Sequence, residues 1–364
     1  MVSRVMKFFS RFEWSNLLFI ILSPVVAIVG TVWVISHGGP HWATWLLAFV
    51  LIWFTGIGIT AGYHRLFSHK SYQAHWAVRL FYLLFGGATF EGSAREWCCA
   101  HRKHHQFVDT DRDPYNVKKG FWHAHVFWVV LKSDQSDESN IKDLKKDPLV
   151  RFQDRFYVPL AILVSFIFPA ALASLWGDMW GGLFVAGWLR LVVNHHLTFL
   201  INSYAHTFGS QNFSDANSSR DSWLLAFLTY GEGFHNFHHS FSSDYRNGIR
   251  AIDWDPAKWL VSVFGWMGLA SRLNRADPQV ILASRLTMDE KRLRARLARN
   301  AAFHKEWEHF LAKARLNLEQ AHIRLISLKG QKVLRSELEK VKQEFKKAMG
   351  HWSALVSGQL SLPI

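Results

Sequence analysis

Hydropathy along the chain alternates between apolar runs and polar stretches. Leu17 to Ser36 and Trp42 to Tyr63 are each about 20 residues long, the length a helix needs to cross the hydrocarbon of a bilayer. They are joined by the short link His37-Gly38-Gly39-Pro40-His41. Phe156 to Trp176 and Met179 onward repeat the arrangement around Gly177-Asp178. The pattern predicts two transmembrane hairpins. Neither short link carries Lys or Arg while the flanks are rich in both, so the positive-inside rule places the termini and the polar segments in the cytoplasm. The fourth pattern continues to His206. Its 28 residues make on the order of 42 Å of helix against roughly 30 Å of hydrocarbon, so its cytoplasmic end is expected to project from the bilayer.

Between and after the spans the pattern is weaker. Met1 to Trp14 reads as a basic, aromatic amphipathic segment suited to the membrane interface. The first apolar run lacks a small-residue cleavage site, so it is expected to stay as an anchor. Trp76 to Ala94 is apolar but interrupted by Arg79, Gly86, Gly87 and Glu91, which suits a buried or interfacial helix better than a full span. Short amphipathic helices are expected over Ser222 to Phe234 and Trp259 to Leu269. Met288 to His351 reads as two helices or a helical hairpin, broken near Gly330. The fold class expected is an all-α integral membrane protein: four transmembrane helices under a cytoplasmic helical cap. Its domains would be an amphipathic segment over 1–16, a membrane and catalytic domain over 17–280 and a basic helical extension over 281–364.

Composition supports the membrane reading, with 18 Trp, 29 Phe and 49% hydrophobic residues among 364. Cys98 and Cys99 are the two cysteines; adjacent and without a distant partner, they exclude a disulfide framework and fit a reducing compartment. The net charge of +14 is uneven: Arg285 to Lys347 holds 17 Lys/Arg against 8 Asp/Glu. Such a run suits a solvated helix face, anionic lipid headgroups, or an acidic electron donor or CoA ester. No nucleic-acid-binding module accompanies the charge, so nucleic acid is not an expected partner.

The candidate chemistry lies in the histidines. His101-Arg102-Lys103-His104-His105 and His235-Asn236-Phe237-His238-His239 share the pattern His-x-x-His-His, and His64 and His69 form a third patch. Positions i, i+3 and i+4 share a helix face, so each triplet can aim three imidazoles at one point. His64 and His69 converge only if the helix ends or distorts between them, which predicts His69 just past a helix end. On the projecting end of the fourth helix, Asn202 and His206 share a face. His206 is therefore a ninth candidate ligand and Asn202 a direct or water-mediated one. His195 and His196 read as structural or as pocket residues. Neutral imidazole suits zinc, copper, iron and nickel, and the two adjacent cysteines rule out a thiolate-rich site. Eight or more nitrogens exceed one tetrahedral zinc, so a dinuclear site is the economical inference.

Several words of the sequence sharpen this. Gly58 to His69, Arg95-Glu96-Trp97 ahead of the first triplet, Asp109 to Tyr115, Asn202 to His206 and Gly231 to His239 together resemble the membrane-bound fatty-acyl desaturases. Within them they resemble the acyl-CoA delta-9, stearoyl-CoA type branch in a bacterial-like form, over about Leu17 to Arg250. The resemblance implies a non-haem di-iron enzyme. It would use dioxygen and two electrons to place a cis double bond, delta-9, in a saturated acyl chain carried by CoA. Carried over by motif, the ligands are His64, His69, His101, His104, His105, His206, His235, His238 and His239, with Asn202 acting through water. Glu96, Asp109, Asp113 and Glu232 read as carboxylates that orient imidazole N–H groups. Tyr63 departs from the small residue common in the family, which leaves the reaction class intact but weakens the inference of substrate. The basic tail lies outside the resemblance.

An acyl chain needs an apolar tunnel past the metals. The face of His64 continues through Thr60, Gly56 and Ile52, which either line that tunnel or make ordinary helix packing. Lys118 and Lys119 resemble a basic contact to CoA phosphates; a solvated pair fits them as well. Electrons would come from a separate ferredoxin, rubredoxin or cytochrome b5 type donor with its reductase. The expected location is a bacterial inner membrane. Two other classes compete. A membrane alkane or lipid hydroxylase shares the histidine boxes, but the Asn202–His206 element and Gly231-Glu232-Gly233 favour a desaturase. A metal transporter or sensor would place ligands within the spans, whereas these clusters lie beyond them.

Overall fold

The computed structural model describes residues 9–132, 137–297, 304–329, 331 and 335–357. Among these residues four helices are long and apolar enough to cross a membrane: α1 (Trp14–Ser36), α2 (Trp42–Ser68), and later α6 (Tyr157–Ser174) and α7 (Met179–Ser203). Between α2 and α6 lie α3 (Trp76–Gly87), α4 (Ala94–Phe107) and α5 (Pro148–Arg155); after α7 come α8 (Trp223–Leu228), α9 (His235–Ser240) and α10 (Pro256–Trp266). The outer faces of the spans expose apolar side chains, Ile28 and Val29 being about 60% exposed. Such faces belong in lipid. The protein is an integral membrane protein of the all-α class. Among the described residues the strands amount to one antiparallel pair, Gln73–Ala74 with Ala270–Ser271, which ties the chain after α2 to the chain after α10.

Short-range chemistry sets the element ends. Asp178 joins the two hairpins at the end remote from the histidines: Oδ2 accepts from His41 N and the Thr44 hydroxyl, and Oδ1 from Gly181 N. Asp147 and Asp255 cap α5 and α10, each followed by Pro at the first helical position, where its missing N–H is harmless. At Gly58 a Cβ would stand 2.5 Å from the backbone nitrogen of Gly86, so α2 and α3 can approach this closely only without one. The core beneath the histidines is formed by Tyr63, Tyr82, Leu83, Cys98, Ile141 and Val261.

Several boundaries differ from the sequence reading, α10 among them, which runs three residues earlier than the expected Trp259 to Leu269. The last eleven residues of α2, Gly58–Ser68, form a π-helix. α7 stops at Ser203 rather than reaching His206, because Tyr204 N and Ala205 N both turn back to Leu200 O. The helix expected over Ser222–Phe234 is one short helix, capped by Ser222 and followed by a turn. Residues 1–8 and Gly330 lie outside the described residues, and with them most of the amphipathic segment and the expected break.

The chain divides into two compact units, Met1–Ser210 with Asn217–Arg275, and Gln211–Ala216 with Ala276–Ile364. The second contains α11 (Pro278–Leu297), α12 (His304–Lys329) and α13 (Arg335–Ser357), so its helices begin ten residues before the expected Met288. Leu286, Leu293, Leu311, Leu318 and Trp352 form its core. Lys291 pairs with Asp215, which accounts for the short 211–216 segment belonging to this unit.

Candidate metal centre

Ser93 and Glu96 start α4 with a reciprocal capping box, Glu96 N to Ser93 Oγ at 3.3 Å and Ser93 N to Glu96 Oε2 at 3.0 Å. The helix then presents His101, His104 and His105. On its other side Arg102 donates to the carbonyls of Phe67 and Ser68 at 2.6 and 2.9 Å, which docks α4 on the end of α2. There His69 N donates to His64 O at 3.1 Å, a five-residue π-type bond, and the two rings close to 4.9 Å. Asp221 Oδ1 accepts from Asn236 N and Phe237 N and so sets the first turn of α9.

Nine imidazoles thereby form two groups whose nitrogens lie within 4.8 Å of one another: His64, His69, His101, His105 and His238, and then His104, His206, His235 and His239. Each triplet divides between the groups. Nε2 of His238 lies 2.9 Å from that of His64 and 3.0 Å from that of His105; Nε2 of His235 lies 3.1 Å from those of His206 and His239. One N–H cannot serve two facing nitrogens well. Two nitrogens bound at right angles to one metal, with bonds of about 2.1 Å, stand roughly 3.0 Å apart. Nε2 of His104 is buried and has no hydrogen-bond partner. The donor set therefore fits metal ions.

Proton placement agrees. Glu232 Oε2 lies 2.9 Å from His64 Nδ1 and Asp113 Oδ1 2.8 Å from His104 Nδ1; an ionised carboxylate only accepts, so each Nδ1 carries the proton and each Nε2 is left free. Asp109 acts at one remove. The Ser218 hydroxyl donates to Asp109 Oδ1 at 2.5 Å and so accepts from His206 Nδ1 at 2.8 Å. Burial pushes the pKa values of His69, His101, His105, His206, His238 and His239 well below the usual imidazole range, and that of His235 to about 3. These rings are neutral, the form that binds metal. Burial would raise the Glu232 carboxyl, but His64 and Arg65 outweigh it and hold the group at about 2.

The remaining candidates fall differently. Glu96 spends its carboxylate on the α4 cap and touches no imidazole Nδ1, so the structure gives it another partner than the one expected. Asn202 and Thr60 line a cavity of about 670 Å³ that also touches His64, His101 and His235. Phe19, Ile20, Phe90, Val158 and Phe199 make its apolar walls, and Glu13 and Leu131 also border it. Gly56 does not line this cavity but borders a smaller pocket that shares Thr60 and Thr198 with it, and Ile52 lies behind Tyr230, whose hydroxyl donates to Ile52 O at 2.9 Å. A Cβ on Gly56 would stand 2.1 Å from the Tyr230 ring. Gly56→Ala is therefore expected to displace that ring and destabilise the fold by about 1–3 kcal/mol while leaving metal content unchanged, as thermal unfolding with metal analysis would show. Lys118 and Lys119 are exposed on a short turn capped by Asn116, with no structural feature that distinguishes them from a solvated pair. His195 borders the cavity and meets Thr89 O at 2.6 Å, and His196 faces His125; neither joins the two groups.

Sequence reasoning missed Arg65, Arg102, Ser218 and Asp255. Arg65 left one usable signal, a cation at the end of an apolar span.

Comparison with known proteins agrees with this centre. Residues 40–271 match the fatty acid desaturase family. The chain is 44% identical over 265 residues to a probable acyl-CoA desaturase of Schizosaccharomyces pombe, covering 72% of this chain and 54% of that protein. It is 39% identical over 291 residues to acyl-CoA desaturase 1 of Saccharomyces cerevisiae, covering 79% and 56%. With stearoyl-CoA desaturase 5 of Bos taurus the identity is 33% over 277 residues, covering 74% and 82%. The chain thus spans about half the length of the two yeast relatives and most of the bovine one. With its family match taking in every histidine of both groups, the chain belongs to the fatty acid desaturase family.

Proposed function

We propose that the protein is an oxygen-dependent di-iron acyl desaturase that places a cis double bond, delta-9, in a saturated fatty-acyl chain carried by CoA. The observation that carries this reading is the pairing of two buried imidazole groups with one largely apolar cavity that touches both. The names of the relatives, acyl-CoA and stearoyl-CoA desaturases, support the carrier.

His64, His69, His101, His105 and His238 would hold one iron and His104, His206, His235 and His239 the other, and Asn202, on the cavity wall, would act on one of them through water. Bound there, the irons supply the oxidising power, drawn from dioxygen, that an unactivated C–H bond demands. The protein's part is position and dryness. Asp113, Glu232 and the Asp109–Ser218 pair hold three rings in the tautomer that frees Nε2. Phe19, Phe90 and Phe199 exclude water from the chain's path. Overall, dioxygen, two electrons, two protons and two hydrogens of the chain yield two waters and the alkene. The electrons come from a separate donor of ferredoxin, rubredoxin or cytochrome b5 type; two adjacent buried cysteines cannot hold a cluster. The excess of Lys and Arg over 285–347 suits an acidic donor, and the cation-free hairpin links support a cytoplasmic side for the histidines.

The test is expression in a bacterial host beside His101→Ala, with fatty acids and double-bond positions read by mass spectrometry. A delta-9 monounsaturated pool absent from the variant is expected. Hydroxylated chains would replace this reading with the hydroxylase. Inertness of iron-loaded protein supplied with reductant and acyl-CoA would overturn it.

A further inference from the structure

One group in the cavity has no part in the centre described above. Glu91 lies on the cavity wall in the turn between α3 and α4. The turn is firmly built. Ala88 O accepts from Arg190 Nη1 at 3.0 Å and from the Ser165 hydroxyl at 2.6 Å, and Gly92 N donates to the Tyr157 hydroxyl at 3.0 Å. Phe90, just before Glu91, is held at φ 56°, a left-handed conformation that a bulky side chain adopts only where its surroundings impose it. The Glu91 carboxyl is aimed inward. Oε2 accepts from Trp97 Nε1 at 3.3 Å, and the Trp97 ring stacks on His101 at 4.8 Å. Oε1 is buried without a hydrogen-bond partner.

Among the described residues no cation pairs with this carboxyl, whose contact is Trp97. Arg190, a buried cation on α7, spends its nitrogens on the carbonyls of Ala186, Ala88 and Ser165, and Arg65 is held by Glu232 and Asp255. His195, also on α7, is engaged with Thr89 O. On α4 Glu96 is occupied by Ser93, and on α6 Tyr157 by Gly92. His64, His101 and His235 belong to the metal groups, and Glu13 lies on α1's approach to the same cavity. A buried carboxylate without a counter-charge is costly, and such a group takes up a proton instead.

We propose that Glu91 is a neutral carboxylic acid that admits the acyl chain, so that chain binding and ionisation of Glu91 exclude each other. The proposal rests on the acyl-desaturase reading and names a specificity-determining residue within it. An apolar chain laid against the carboxyl removes what water it has left and disfavours the charged form further. Burial already pushes Glu91 up to about 8, opposed by the polar groups of Thr198, Trp97 and Asn194 around it. The sign follows: the chain binds the protonated form, so affinity is full below that value and falls about tenfold per pH unit above it.

The experiment uses metal-loaded protein in lipid nanodiscs, without oxygen or reductant so that no turnover occurs. Stearoyl-CoA is titrated by calorimetry from about pH 7 to about pH 9.5, in two buffers of different ionisation heat. The wild type is expected to lose about tenfold or more in affinity at the upper end and to take up protons on binding. In Glu91→Gln binding should persist, with the slope and the proton uptake gone. An unchanged slope in the variant, or a flat wild-type affinity without proton uptake, overturns the proposal. If the variant does not insert, the wild-type proton count decides alone. Infrared spectra of the unliganded protein should also show a carboxylic-acid band at neutral pH that Glu91→Gln lacks; its absence from the wild type overturns the neutral acid. If stearoyl-CoA fails to bind at any pH, the acyl reading falls and takes the gate with it, whereas failure of the pH slope alone leaves that reading standing.

Discussion

If the proposed di-iron desaturase function holds, a His238→Ala variant will bind about half the metal of the parent and lose desaturation by more than about 100-fold. His238 Nε2 sits between those of His64 and His105, at 2.9 and 3.0 Å, so its removal opens the middle of the five-imidazole group. The four-imidazole group contains no atom of His238 and keeps its ligands. Loss of an outer-shell partner alone costs about 10–100-fold in affinity or activity, and loss of a ligand exceeds that. Metal analysis of the purified variant, beside product analysis, is the check. Full iron content with normal activity would show that His238 is not a ligand.

Arg65→Met will cost about 3–5 kcal/mol of stability, the range for removing one partner of a buried ion pair. Arg65 is 1% exposed, and it holds Glu232 Oε1 at 3.0 Å and Asp255 Oδ1 at 2.9 Å, with both carboxylates as deeply buried. Methionine fills the space and leaves two carboxylates facing each other without a cation. The effect reaches the metal groups, because Glu232 also fixes the tautomer of His64. Unfolding in detergent measures the first loss, and metal competition the second, expected at about tenfold or more. Unchanged unfolding would mean that the network contributes no net stability. Combining Arg65→Met with Glu232→Gln and Asp255→Asn removes the stranded charge and should recover part of the loss.

The spans were legible because about 20 apolar residues in a row admit few other structures, and the triplets because i, i+3 and i+4 is a property of one helix. His64 and His69 were half legible. Their spacing demanded a distortion, but where it lay depends on Arg102 gripping the carbonyls of Phe67 and Ser68 from 35 and 34 positions away. The cavity was not legible from one helix face. Its walls bring residues near 15–20 together with Phe90, Val129 and Phe199, and a periodicity along α2 does not report what packs across it. Tyr230 behind Gly56 shows this directly: small residues on a helix mark a close approach without saying whether a ligand or a ring makes it. Asp109 reached its histidine through a serine 109 positions on, a relay with no signature in the local sequence.

The π-helical end of α2 makes chain length a fixed quantity there. Over Gly58–Ser68 the wider turn absorbs a residue that an α-helix would not hold, and the bond from His69 N back to His64 O closes it. Deleting one residue would let the bonds revert to the four-residue pattern and turn everything beyond the cut by about 100°. His69 would swing off the site although every histidine remained in the sequence. Alignments of engineered or distant versions of this segment should therefore be judged by gaps before identities: a substitution there changes a contact, and an indel changes the bearing of a ligand.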